Sequence, residues 1–260
     1  MMNATRVLKI GGRPQSDPTL AQRVAHLWNG GASPLVIVHG GGDEVTTLQQ
    51  ALGVTARFDG GRRVTSAEDV EIVRMALSGS ANKRLVASLV SSGVKALGIS
   101  GEDAALFTAV PVDPERLGYV GAPHRTNVEL LWHLLDGGFV PVVSPVSRNA
   151  CTGASAAGSL GDAAALNVNG DDAAAAMAVA LAATELLLVA DVPGVMSDGA
   201  VIPRLQRSTA RSLIESGVAA AGMRAKLEAA LSALDGGVER VRIGDLAAIN
   251  EPNRGTLLVD

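Results

Sequence analysis

The sequence predicts an α/β protein: a three-layer αβα sandwich with a mostly parallel, open central sheet, divided into two lobes. Short aliphatic runs of strand length recur along the 260 residues, bounded by glycine, and the longer stretches between them carry helical apolar spacing. That alternation is the mark of parallel strands joined by crossover helices. The chain is 47% hydrophobic but only 2% aromatic, so its core is built from Ala, Val and Leu; three Phe, two Trp and one Tyr cannot fill it.

The runs that read as strands are 6–10, 34–39, 94–100, 140–146, 186–191 and 238–243. Helical spacing appears at 67–77, at 84–90, and in the set Met223, Leu227, Ala230 and Leu234. The longest apolar run, 173–183, stops after 11 residues at Thr184 and Glu185, against the roughly 20 that cross a bilayer, and reads as a buried helix. The stretch 151–161, rich in Ala, Ser and Gly, reads as a hairpin or loop; strong patterning returns at Asn167, which places the lobe division near 165, giving lobes 1–165 and 166–260.

Bulk chemistry removes several function classes. A net charge of -4 with no basic cluster argues against nucleic acid as a partner. The single cysteine, Cys151, excludes an intrachain disulfide framework and a cysteine-rich zinc site, and fits a reducing, cytoplasmic setting. The first residues do not read as an export signal, and no membrane partner is expected. Nucleotide signatures fail one by one: there is no P-loop, no His-Arg-Asp and no Gly-x-Gly-x-x-Gly opening the first helix.

Four segments remain that suit anions at the carboxyl ends of strands. In Val7-Leu8-Lys9-Ile10-Gly11-Gly12 a lysine precedes two glycines whose N–H groups approach an anion without Cβ interference. In Val36-Ile37-Val38-His39-Gly40-Gly41-Gly42 a strand runs into three glycines, more than a turn needs; His39 at the strand end reads as structural rather than as a base. Leu166-Asn167-Val168-Asn169-Gly170-Asp171-Asp172 places alternate polar residues on one side of an extended segment before a helix that Asp171 or Asp172 can cap. In Gly222-Met223-Arg224-Ala225-Lys226 a lysine stands early on an amphipathic helix, where a solvated or snorkelling side chain is the alternative to a site role.

These segments, in order, resemble the amino acid kinase family, and the resemblance runs from Val7 to about Ile243. Arg62-Arg63-Val64-Thr65, Gly79-Ser80-Ala81-Asn82-Lys83, Leu117-Gly118-Tyr119-Val120-Gly121 and Asp191-Val192-Pro193-Gly194-Val195 extend it. The resemblance implies that the first lobe binds an acylated amino acid and forms the dimer interface, and that the second binds ATP. The reaction it implies carries the γ-phosphate of ATP, with Mg²⁺, to the side-chain carboxylate of N-acetyl-L-glutamate. By the same resemblance Lys9 and Lys226 contact the phosphoryl group in flight and Asp171 organises them. Gly11 and Gly12 serve as phosphate-side donors, and Gly41, Gly42, Arg63 and Asn167 grip the acyl amino acid. Asp191, Val192, Pro193, Gly194, Val195 and Met196, with 218–226, contact the nucleotide. No protein metal ligand is assigned, because Mg²⁺ arrives on the phosphates.

The chemistry supports these residue types on its own. An ionised carboxylate attacking an anionic phosphate needs positive charge and alignment but no general base, and a guanidinium grips a carboxylate bidentately. Departures are present: Arg13-Pro14 follows the glycine pair where a small or aliphatic residue is usual, and Arg62 competes with Arg63, which directly precedes Val64-Thr65. The chain begins close to its first strand, so a homodimer without the arginine control of hexameric members is expected. A kinase acting on a carrier-protein-bound aminoadipate, and a catalytically silent ligand-binding module, are the alternatives; retention of both Lys9 and Lys226 weighs against the second.

Overall fold

A computed structural model of the chain describes residues 5–31, 34–151, 165–219 and 221–260. Among them, one eleven-stranded sheet runs through the molecule. At its middle Arg6–Ile10 lies parallel to Leu35–His39 on one side and to Glu185–Val189 on the other. Beyond Glu185–Val189 come Arg240–Gly244, Thr256–Val259 and Arg204–Gln206. Beyond Leu35–His39 comes Val140–Asn149, which also receives Ala96–Gly101 in parallel, and then Phe107–Pro111, Val120–Thr126 and Ala165–Val168. The antiparallel pairings lie on the flanks: Thr256–Val259 on Arg240–Gly244, Phe107–Pro111 on Val120–Thr126, and Ala165–Val168 on Val140–Asn149. This is the expected mostly parallel α/β sheet.

All six expected strands form, with shifted ends. Val94 and Val238, read as strand starts, instead close the preceding helices: each donates its N–H to the carbonyl five residues back, Leu89 and Ala233, across a glycine at φ +86° (Gly93) or +89° (Gly237). The two helices expected at 67–77 and 84–90 are one continuous run, Ala67–Val73, a π-helical Arg74–Ala81 and Asn82–Ser91, started by a capping box between Ser66 and Asp69. The stretch expected to mark the lobe division, 151–161, lies outside the described residues apart from Cys151.

Alternation along the central strands creates the two helical layers. Val7, Val36, Val38, Leu186, Leu188, Val241 and Ile243 face the helices Gly170–Ala180 and Ala221–Asp235, packing on Ala173, Ala174, Met177, Leu227 and Ala230. Leu8, Ile10, Leu35, Ile37, Leu187 and Val189 face Leu20–Asn29 and Asn82–Ser91 through Leu20, Val24, Leu85 and Leu89. Lys9 shares the parity of Val7, so its side chain emerges at the end of the central strand on the side of Gly170–Ala180.

One turn ties the wall of the site together. Tyr119 N–H donates to the Thr65 carbonyl (2.8 Å) and Thr65 N–H to that of Leu117 (3.0 Å), across Gly118 at φ +69°. A Cβ on Gly118 would collide with the Thr65 carbonyl oxygen and would also sit in the left-handed region. Gly118→Ala is therefore expected to destabilise the fold by about 2–4 kcal/mol, seen as a lower denaturant midpoint at unchanged slope; a midpoint equal to the parent's would contradict this reading of the turn.

Candidate active site

The carboxyl end of the central strand meets two helix N-termini. Lys9 Nζ lies 2.9 Å from Asp171 Oδ1, and Lys226 Nζ lies 3.1 Å from Asp171 Oδ2. The three side chains are buried, 8%, 13% and 6% exposed. Gly170 permits the approach: a Cβ there would stand 3.2 Å from Lys9 Cε. Capping of the helix falls to Asn169, whose Oδ1 accepts from the N–H groups of Asp171 (2.7 Å) and Asp172 (3.4 Å). Asp171 is thus free to bridge the lysines, and Asp172 pairs with Arg62 at 3.3 Å.

The charges respond to this setting. Burial pushes the Asp171 carboxyl up, but Lys9 and Lys226 outweigh it and hold the group below the usual carboxylate range. Burial, then the neighbouring Lys9, lowers the Lys226 ammonium against the pull of Asp171. Burial leaves Asp172 raised, with Arg62 opposing. The centre holds two ammonium groups against one carboxylate, an arrangement that attracts further negative charge.

The glycine loops flank it. Gly11 N–H is committed to the Val189 carbonyl (3.1 Å) and Gly40 N–H to that of Ile10 (2.9 Å), which extends the sheet by one residue on each strand. The Gly11 N–H, expected to serve a phosphate, is thus engaged by the sheet, while among the described residues no backbone partner of this kind is found for the Gly12 N–H. Gly41, at φ +151°, precedes the helix Gly42–Ala51, whose first N–H groups are free of intrahelical partners. His39 is fully buried; its Nδ1 lies 2.8 Å from the Gly40 carbonyl and its Nε2 3.1 Å from Asn82 Nδ2, which also donates to the Val142 carbonyl. With Nδ1–H donating and Nε2 accepting, the ring is neutral, and burial lowers its pKa to about 4.

One cavity is lined by Lys9, Gly12, Gly41, Gly42, Arg62, Arg63, Asn167 and Asp171. Arg63 donates to the Gly42 carbonyl and Thr46 Oγ1, each at 2.8 Å, and to Gln49 Oε1, and its guanidinium sits 4.7 Å above the Phe58 ring centroid. Asn167 Nδ2 donates to Thr65 Oγ1 at 3.1 Å. The hairpin Arg57–Asp59 and Arg62–Val64 thus delivers both arginines to the cavity.

The expected nucleotide segment does not line this cavity. Asp191 follows the strand Glu185–Val189 and pairs with Arg13 at 2.7 Å, close enough to Lys226 for each charge to shift the other. Val192, Pro193 and Gly194 follow it; Val195 is buried, its N–H donating to Thr256 Oγ1 (2.8 Å), and Met196 begins a short exposed hairpin. No group of three or more His, Cys, Asp or Glu among the described residues is arranged to hold a metal.

The sequence profile of the amino acid kinase family matches residues 4–245. The chain belongs to this family. Among curated family members, the acetylglutamate kinase of Chloroflexus aurantiacus J-10-fl is 40% identical over 252 residues, spanning 96% of this chain and 95% of its own. That of Cereibacter sphaeroides ATCC 17029 is 41% identical over 247 residues, 93% of this chain and 80% of its own. Of solved structures, smu.665 from Streptococcus mutans UA159 superposes with a TM-score of 0.85 at 29% identity over 98% of both chains. Carbamate kinase from Giardia lamblia, at 14% identity and a TM-score of 0.72, shares the fold.

In this family member several side chains that shape the site escaped the sequence reading. Asn82 belongs to the run Gly79-Ser80-Ala81-Asn82-Lys83, but its partnership with His39 is visible only once strand and helix are side by side. Gln49 and Phe58, which fix Arg63, carried no motif. The buried neutral His39 gives a test. Between about pH 6.5 and 4 the unfolded chain takes up a proton that the folded chain excludes, so this contribution to stability is complete above 6.5 and is lost as pH falls through that window. A His39→Gln variant is expected to lose this slope in urea titrations from pH 7 to 4; an equal slope in both proteins would show that His39 titrates freely.

Proposed function

We propose that the protein is an acetylglutamate kinase: it transfers the γ-phosphate of ATP to the side-chain carboxylate of N-acetyl-L-glutamate. The observation that carries this reading is the Lys9, Asp171 and Lys226 centre, opening on a cavity that also presents Arg63, Asn167 and a glycine-rich helix N-terminus. Relatives near 40% identity that bear this activity support the choice of acceptor.

In this reading Arg63 and Asn167 hold the acyl amino acid, and its γ-carboxylate faces the phosphate. One carboxylate oxygen forms a bond to the γ-phosphorus while the bond to the bridging β,γ-oxygen breaks, leaving ADP and an acyl phosphate. The attacking oxygen is already ionised, so no proton moves and no base is needed, which suits the neutral, fully engaged His39. Lys9 and Lys226 neutralise the equatorial oxygens, aided by the Gly12 and Gly41 N–H groups. Asp171 is engaged by the two lysines and Asp191 by Arg13. With these carboxylates engaged, Mg²⁺ would be held by the phosphate oxygens of the nucleotide, where it would neutralise phosphate charge. Residues 1–165, joined by Asn167, bind the acceptor, and the rest of 166–260 the nucleotide; the enzyme is a cytoplasmic homodimer, its mass to be read by light scattering.

Hydroxylamine trapping with ATP and Mg²⁺ is expected to yield hydroxamate from N-acetyl-L-glutamate and little from free glutamate. Lys226→Ala is expected to lower kcat by about 10²-fold or more, with the fold intact by circular dichroism. No hydroxamate from the acetylated substrate, or an undiminished Lys226→Ala enzyme, would refute the proposal.

A further inference from the structure

Gln15 lies in the short turn Arg13–Ser16, in a cleft behind Gly12 that is separate from the cavity lined by Lys9 and Arg63. Its Nε2 donates to the Gly40 carbonyl at 2.8 Å and to the Gly11 carbonyl at 3.3 Å. Two carbonyl partners require the amide nitrogen, which has one hydrogen for each. A single side chain therefore staples two glycine loops that follow different strands.

The consequence lies on the far side of each peptide. Every peptide bond among the described residues is trans, and in a planar trans peptide the C=O and N–H point in opposite directions. Holding the Gly11 and Gly40 carbonyls toward Gln15 turns the N–H groups of the next residues, Gly12 and Gly41, away from it. Those two residues line the cavity, and a Cβ on Gly12 would stand 3.6 Å from the Gly41 Cα, so the two donors are neighbours. The N–H groups of Gly11 and Gly40, by contrast, are used by the sheet.

We infer that Gln15 is a positioning residue that presets the Gly12 and Gly41 N–H groups for the phosphoryl group in transfer. The inference rests on the kinase reading given above. It is asymmetric: the Gly40 carbonyl is also held by His39 Nδ1 at 2.8 Å, whereas the Gly11 carbonyl has Gln15 alone among the side chains of the described residues. Loss of the amide should fall mainly on Gly12, the nucleotide side.

Gln15→Met keeps length and packing and removes the donor. Its expected signature is a KM for ATP raised about five- to tenfold and kcat lowered about tenfold, with the KM for acetylglutamate within twofold of the parent's. Kinetic constants all within twofold of the parent's would overturn the inference. So would a fall in kcat that disappears when the rate is expressed per folded molecule, counted by circular dichroism, since a mere loss of folded enzyme produces that. If the parent enzyme gives no acyl phosphate, the kinase reading fails. The geometry is then decided by the crystal structure of Gln15→Met: a rotated Gly11–Gly12 peptide upholds the presetting, and a superimposable one removes it.

Discussion

The site depends on one carboxylate. Asp171 is buried between Lys9 and Lys226 and holds both ammonium groups where neither would settle alone. Burying three charges is expensive, and the attraction among them does little more than offset desolvation, so stability is a poor explanation for the cluster. Removing one partner from such a group typically costs about 3–5 kcal/mol, because the remaining charges lose their compensation. What the arrangement supplies is a fixed excess of one positive charge on largely buried side chains, where electrostatic stabilisation is stronger than in water.

The sheet makes this possible through simple periodicity. Lys9 occupies the one parity of the central strand that faces the helices Gly170–Ala180 and Ala221–Asp235, so a strand lysine and a helix lysine converge on a carboxylate in the first helical turn. Small residues finish the fit. The alanine-rich helix lies close to the sheet, and Gly170 lets the Lys9 stem pass. The glycine loops play the complementary part, presenting backbone donors that cost no side-chain entropy to order.

Much of the fold was legible because its signals are local. The parallel strands are continuous aliphatic runs, and glycine marks their ends. The flanking strands were not: Val120–Thr126 carries a proline, a histidine and an arginine, and Phe107–Pro111 ends in proline with a threonine inside it. Their place is decided by partners distant in sequence. The same divide holds at the site. Lys9 before its glycine pair and Asp171 at a helix start stand out by residue type and place, whereas Lys226, Arg63 and Asn167 were picked out by the family resemblance. Gln15, Gln49 and Asn82 act on groups that only the folded chain brings near, and a lone amide side chain has no pattern to betray it. Gly11 shows the converse: its residue type was right for a donor, but the sheet took its N–H.

Asp171→Asn tests the account most directly, since it keeps the shape of the side chain and removes the charge that organises both lysines. Steady-state kinetics of the folded variant should show kcat lowered by about 10²-fold or more, with both KM values changed much less than kcat. A folded Asp171→Asn enzyme with kcat within threefold of the parent's would contradict the claim that this carboxylate sets the lysines for phosphoryl transfer.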